Sequence, residues 1–480
     1  MDLAGILQGF NPWWAGLGQP DLPAFRRDAF AEVWEWVEAT GPRGLVVSGA
    51  RQTGKTTLFL QAIEDLVTKE GYPPAVILYA TFDHPALRQA GLARTLEAWR
   101  EACPVLPGTK GILFLDEIQN VPDWQVWLKH QVDFRRGLRV AVTGSATPLG
   151  AGAAESGVGR WETLRLPTLS FGEYLRLRHG STPDIGGIGD LADLFDRDRA
   201  AFAALAARSA ELPARFHEYL TRGGFPEPAC APELSRCQRL LREDLLDKVL
   251  HRDMTALYGV RRVPDLERFF LYLCEHEGGI LDTTAVSRHL EGVTRQGVAN
   301  WVDLLEATHL VHRLRPHGYG KEVLRGREKV YLADPAIAGA VLMTGRHLLE
   351  RPVRLAAAVE CAVVKHALTR YRREGATVSY WRDRSADGLE VDLIVDRGEG
   401  PLPIEVKYQE TPIHAGKLAG LSRFLEKTGG RRGIVITRMR DDLGVTRVER
   451  GPGKGQGSGT GAVEVLKVPG ALACLILSGG

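Results

Sequence analysis

The sequence predicts an α/β fold over residues 1–175, a parallel sheet flanked by helices, with helical and mixed modules after it. Three observations carry this. Short apolar runs at 44–47, 75–80, 111–115 and 139–142 alternate with segments of helical periodicity, the order that builds parallel sheets. The first run feeds a glycine-rich turn, Gly49-Ala50-Arg51-Gln52-Thr53-Gly54-Lys55-Thr56, and a helical pattern at 58–63 leads out of it. The third run ends in two acids, Asp116 and Glu117.

Length and composition frame the rest. A chain of 480 residues has room for several domains, each with its own core. Its 44% hydrophobic and 25% charged content is ordinary for globular proteins. The net charge of +2 supplies no global attraction to nucleic acid, so any such contact needs a local basic patch. Six cysteines, at 103, 230, 237, 274, 361 and 474, form no C-x-x-C pair or metal-like spacing, which reads as free thiols in a reducing compartment. The first ten residues show no export signal, and no run approaches the ~18 apolar residues of a membrane span. A cytoplasmic protein is expected.

At the start, Asn11-Pro12-Trp13-Trp14 precedes a helical pattern at 25–40 with Trp34 and Trp36. Tryptophans paired near a terminus are expected to dock on a core or a neighbouring subunit.

The glycine-rich turn matches G-x-x-x-x-G-K-[ST] at every fixed position. Gly49 and Gly54 let the backbone curl so that N–H groups point inward at phosphate oxygens, and the helix N-terminus adds partial positive charge. Lys55 has the reach for β- and γ-phosphates, and the Thr56 hydroxyl suits a Mg2+ ligand. ATP with Mg2+ is the expected cofactor pair, held by Gly49, Ala50, Arg51, Gln52, Thr53, Gly54, Lys55, Thr56 and Thr57. No guanine-type N-K-x-D motif occurs, which favours ATP over GTP.

In such a site the acid at the end of a later strand completes the Mg2+ shell, and a following Glu polarises the attacking water. Asp116 and Glu117 fit these roles. The strand at 139–145 ends in Gly144 and Ser145, where a hydroxyl can sense the γ-phosphate or simply end the strand. Arg160 is either an arginine finger acting on a neighbour's nucleotide, which implies a homo-oligomer, or a surface ion pair.

Residues 176–260 read as a helical connector, punctuated by the turn Gly223-Gly224-Phe225-Pro226. Over 261–350, helical patterns at 265–277, 284–290 and 294–307 precede strand-like 310–314 and 329–332, the order of a winged helix-turn-helix. Thr294, Arg295, Gln296 and Asn300 lie on its third helix. Arg313, Arg315, Lys321, Arg325, Arg327 and Lys329 outnumber Glu322 and Glu328 on the hairpin, which suits phosphate contact with DNA. Such modules also dock proteins.

Residues 351–480 open with a helix bearing Glu360. Strands then carry Glu390-Val391-Asp392 and Ile404-Glu405-Val406-Lys407, and 451–461 is a low-complexity stretch expected to be disordered. A hairpin can bring Asp392 beside Glu405 as ligands for one or two Mg2+ ions, with Lys407 on the face of Glu405 to activate water.

These residues resemble, over nearly the whole chain, a large prokaryotic family in which an AAA-type P-loop ATPase precedes a C-terminal domain of unknown function. The motifs that carry the resemblance include Asn11–Trp14 by sequence, the 49–56 turn, Asp116-Glu117-Ile118-Gln119, Thr143-Gly144-Ser145, Gly159-Arg160 and the 223–226 turn. The resemblance implies a winged helix joined to a restriction-endonuclease-like, PD-(D/E)xK fold. It makes Lys55, Thr56, Asp116 and Glu117 the ATPase residues, and Glu360, Asp392, Glu405 and Lys407 the nuclease-like set. Ala146-Thr147 departs from the family's more serine-rich pattern, which leaves the phosphate sensor open. Two readings result: an ATPase that drives or gates DNA binding and Mg-dependent DNA cleavage, or a nucleotide-dependent switch that binds DNA or a protein and uses the nuclease-like fold as scaffold.

Overall fold

The structure, a computed structural model, describes residues 2–19, 21–39, 41–104, 110–134, 137–145, 159–255, 259–318, 326–383, 388–413, 415–448 and 463–479. The low-complexity stretch at 451–461, the Ala146-Thr147 departure, and Lys321, Glu322 and Arg325 lie outside the described residues. Two compact units emerge. One holds Met1–Pro167 with Ala307–His309, the other Thr168–Glu306 with Leu310–Gly480.

The first unit is a five-stranded sheet of β1 (Gly44–Ser48), β2 (Ile77–Thr81), β3 (Gly111–Asp116), β4 (Leu138–Gly144) and β5 (Trp161–Arg165), in the order β2-β3-β4-β1-β5. Every neighbouring pair is parallel. Side chains alternate across a strand, and β3 shows why the sheet is covered twice. Ile112 and Phe114 pack with Val47, Phe59 and Ile63 on one face; Leu113 and Leu115 pack with Leu96, Trp99 and Val142 on the other. The edge strand β2 is closed by the N-terminal segment. Asn11 exchanges hydrogen bonds with the Tyr79 backbone, and the Trp13 and Trp14 indoles both donate to the Ile77 carbonyl, at 3.3 and 2.9 Å. That covering shields an otherwise open ladder. The helix read at 25–40 is shorter, Phe30–Glu38, because the residues before it run as turns and extended chain.

In the second unit, helices Val263–Glu275, Thr283–His289 and Arg295–Ala307 precede an antiparallel pair, β6 (Val311–Leu314) and β7 (Lys329–Leu332). A long helix, Pro352–Arg373, leads into a six-stranded sheet. Its strands β8 (Thr377–Arg382), β9 (Glu390–Asp396) and β10 (Pro401–Lys407) form an antiparallel meander. Strands β11 (Arg432–Thr437) and β13 (Val463–Pro469) continue it in parallel, and β12 (Gly444–Val448) closes the edge antiparallel to β13. Phe171, Tyr174, Phe216 and Tyr219 share one core with Val359 and Val363 of the long helix and Leu393, Ile404 and Ile434 of the sheet. The turn at Gly223-Gly224 is tied in by Asp334, whose Oδ2 accepts from Gly224 N at 2.9 Å and from the buried Lys365 at 3.1 Å. A Cβ on Gly224 would stand 2.5 Å from the Leu169 carbonyl oxygen, so only glycine fits there. Among the described residues no helix is long and apolar enough to cross a membrane.

Candidate functional site

The first site lies at the carboxyl ends of β1, β3 and β4, where ligands of open α/β sheets bind. The turn after β1 needs its glycines. A Cβ on Gly49 would sit 2.3 Å from the Leu166 carbonyl oxygen, and Gly54 has φ +92° as it caps the helix Lys55–Thr68. Gln52 also takes a positive φ, +61°, and its buried Oε1 has no hydrogen-bond partner among the described residues. Thr53 closes the turn onto the Ala50 carbonyl at 2.9 Å. The buried Lys55 ammonium donates to the carbonyls of Gly49 at 2.9 Å and Ala50 at 2.8 Å. Arg51 and Thr57 are half-buried on either side.

Asp116 is the hub. Thr56 Oγ1 donates to Asp116 Oδ2 at 2.7 Å, and Tyr79 Oη donates to the same oxygen at 3.0 Å. Thr143 Oγ1 donates to Oδ1. Burial, then the Asp116 charge, pushes the Tyr79 phenol up and keeps its proton in place as a donor. Glu117 stands next to it with φ +52°, its N–H donating to Thr143 Oγ1 at 3.1 Å. Gln119 bridges from the Glu117 carboxylate to Ser145 Oγ. At the end of β4 it is therefore Thr143 that reaches Asp116, and Ser145 contacts the site through Gln119. Arg160 is ion-paired, with Nε 2.7 Å from Asp133 Oδ1.

Tyr79, Arg27 and His309 had no sequence signal, and Thr143 was named only within its motif. Tyr79 lies inside the apolar strand β2 and Thr143 near the end of β4. Arg27 donates to the carbonyls of Thr53 at 2.5 Å and Pro167 at 2.9 Å, bracing the turn. His309, in the tripeptide grouped with this unit, places Nε2 2.7 Å from Ser48 Oγ with φ +58°. Burial first, then the charges of Lys55 and Arg165, lower its pKa to about 3, so the imidazole is neutral.

The residues present fit ATP with Mg2+. The turn offers an ammonium and a helix N-terminus, and Thr56 with Asp116 forms a paired oxygen donor set suited to a hard cation.

The second predicted site is assembled differently. Glu360 and Asp392 meet through a group not assigned to it. Lys329, at the start of β7, places Nζ 2.5 Å from Glu390 Oε1, 3.2 Å from Asp392 Oδ1 and 3.5 Å from Glu360 Oε1, with its side chain only 3% exposed. Burial works against the ammonium, but Asp392, Glu360 and Glu390 outweigh it and hold its pKa above the ordinary value. The other oxygen of Asp392 accepts from Val406 N at 2.9 Å. Tyr331 Oη donates to Glu360 Oε1 at 2.6 Å. Lys407 pairs with Glu405 Oε1, while Glu405 Oε2 is buried without a partner in the protein. Burial and then Asp392 push Glu360 up to about 7 and Glu405 up to about 8.

Among the described residues, no cluster of three or more His, Cys, Asp or Glu is placed to hold a metal ion, and Glu360 and Asp392 face the Lys329 ammonium. Among the described hairpin bases each is ion-paired, with Arg315 and Arg327 still 70% and 63% exposed. Lys329 is buried, Arg313 pairs with Asp303, Glu306 and Glu328, Arg315 pairs with Glu328, and Arg327 lies 2.9 Å from Asp282.

Comparison with known proteins places residues 42–175 in an AAA domain. Residues 213–347 match a domain of unknown function (DUF8612), and residues 355–450 match another (DUF4143). No curated protein matches. Similar solved structures include the Orc1 protein of Aeropyrum pernix in complex with DNA, 17% identical over 69% of this chain and 96% of that one, TM-score 0.31. The Orc2 protein of the same organism, solved as ADPNP–ADP complexes, is 12% identical over 70% and 96%, TM-score 0.33. PCH-2 of C. elegans is 13% identical over 48% and 70%, TM-score 0.25. Likenesses this remote leave function to the AAA match and the geometry.

Proposed function

We propose that this chain is an ATP-binding AAA-type ATPase that acts as a nucleotide-dependent switch on DNA binding. The observation that carries the reading is the 2.7 Å contact between Thr56 and Asp116, which brings the end of β3 onto the phosphate-binding turn. Thr56 and Asp116 would hold Mg2+, which when bound offsets charge on the β- and γ-phosphates. Lys55 exchanges its two turn carbonyls for phosphate oxygens. Tyr79 and Thr143 fix the Asp116 carboxylate so that both oxygens keep their direction. Glu117, beside Asp116, accepts the proton of the attacking water, and Gln119 holds its carboxylate in register with Ser145. An arginine from a second copy is a role left for Arg160 once it leaves Asp133.

DNA contact is assigned to the helix Arg295–Ala307 of a winged helix-turn-helix, on which Arg295, Gln296 and Asn300 are exposed, with Thr294 exposed just before it. The switch is preferred to DNA cleavage because the carboxylates of the nuclease-like module already surround Lys329. Mobility shifts of labelled duplex DNA with ATP, with ADP and without nucleotide test this. DNA affinity that differs between the nucleotide states, and not in Lys55→Ala, supports the switch; identical binding in all states refutes it.

A further inference from the structure

We propose that Lys329 is the resident cation of the carboxylate cluster on the long helix and β9, standing where a nuclease-like module would place a divalent ion. The cluster then takes no metal while Lys329 is present and becomes a divalent-cation site when it is removed. This rests on neither nucleotide binding nor hydrolysis.

Glu360, Glu390 and Asp392 come from two elements and converge on one point, and Glu405 follows the last β9–β10 pair, Ile404 with Leu393, where the Asp392 charge acts on its carboxyl. Carboxylates this close, Asp392 buried and Glu360 and Glu390 half-buried, repel one another and favour a positive charge among them. The positive charge comes from β7, and the backbone sets its position. Lys329 pairs with Leu314 on β6 and bridges to Ile280, so its side chain enters from a fixed point. The rings of Tyr331 and Tyr380 flank Nζ at 5.9 and 5.7 Å. Aromatic faces favour an ammonium, whereas Mg2+ and Mn2+ take oxygen ligands and ordered water. The oxygens also argue for occupancy: Asp392 uses Oδ1 for Lys329 and Oδ2 for Val406 N, and Glu360 Oε1 receives both Lys329 and Tyr331. Glu405 Oε2, buried and without a protein partner, is the acceptor left for an ion once the ammonium is gone. As placed around Lys329 these carboxylates form no ligand set for a metal; without Lys329, Asp392 Oδ1, Glu360 and Glu405 are freed to close on an ion as hard oxygen donors.

Mn2+ titration of the full chain, followed by electron paramagnetic resonance without nucleotide and in a Lys55→Ala background, tests the proposal. The background removes the ammonium of the phosphate-binding turn, and the absence of nucleotide keeps that site out of the readout. With Lys329 intact, Mn2+ binding should be no different from that of Asp392→Asn. Lys329→Met should bind Mn2+ roughly tenfold or more tighter, and adding Asp392→Asn should abolish the gain. Should Lys329→Met not fold, the charge-balanced Lys329→Met/Glu390→Gln chain is read in the same way. Mn2+ binding with Lys329 intact that is lost in Asp392→Asn overturns the proposal. So does a folded Lys329→Met chain that gains no binding.

Discussion

Thr56 and Asp116 are 60 positions apart in sequence, yet the Thr56 hydroxyl donates to Asp116 Oδ2 at 2.7 Å. The contact joins the first turn of the helix Lys55–Thr68 to the end of β3. Thr143 takes the other oxygen of the same carboxylate. With three hydroxyls donating to it, Asp116 is held as an oriented acceptor.

Replacing the flanking groups should separate orientation from chemistry. Glu117→Gln is expected to retain ATP binding and lose hydrolysis by about 10²-fold or more, as for a missing general base. Thr143→Val should leave Asp116 Oδ1 without its donor and lower stability by about 1–3 kcal/mol, with weaker Mg2+ dependence of ATP binding. Single-turnover hydrolysis and nucleotide titrations of both variants check this. Full hydrolysis in Glu117→Gln would remove that residue from the chemistry.

The glycine-rich turn was legible because a phosphate-binding loop needs glycine where the backbone curls and a lysine and hydroxyl at fixed offsets. The parallel sheet was legible because apolar runs on β1 to β4 have no polar face to show. Tyr79 and Arg27 carry no such signature: a hydroxyl in a strand or an arginine before a helix has many uses. Lys329 was misread for a physical reason. A hairpin base is ordinarily solvated, but all four residues of β7 are buried, so the alternation that would place Lys329 outward does not hold. Its partners lie 31 to 63 positions away, beyond any local pattern.

Supercoiled, linear and single-stranded DNA incubated with the protein, ATP and Mg2+ should remain intact. Asp392→Ala should leave both that result and ATP turnover unchanged. Gel analysis of the DNA is sufficient, and nicking that disappears in Asp392→Ala would reinstate cleavage.

Lys329→Met should destabilise the chain by about 3–5 kcal/mol, since it leaves buried carboxylates without their cation. Lys407→Met should cost distinctly less, because its side chain is 28% exposed and it pairs with Glu405 alone. Urea midpoints compare the two, and an equal loss would contradict the special position of Lys329.

His366 sets a pH dependence. It is buried, Nε2 accepts from Phe171 N at 2.8 Å, and burial, then Lys365, lowers its pKa to about 3 from an ordinary 6.5. Between these values the unfolded chain binds the extra proton, so stability is fully present above about pH 6.5 and is lost as pH falls toward 3. His309, also lowered to about 3, adds in the same direction, whereas Glu360 and Glu405, raised to about 7 and 8, act in the opposite one. The test is therefore the difference between chains: from pH 7.5 to 5 the urea midpoint of His366→Gln should fall less, or rise more, than that of the unaltered chain, and identical slopes would contradict the neutral imidazole.

The most direct measurement is isothermal titration of ATP with Mg2+ into the full chain and into Lys55→Ala. Saturable heat with one site per chain, absent from Lys55→Ala, is the predicted result. Equal heat in both chains, or none in either, would contradict a nucleotide site at the turn after β1.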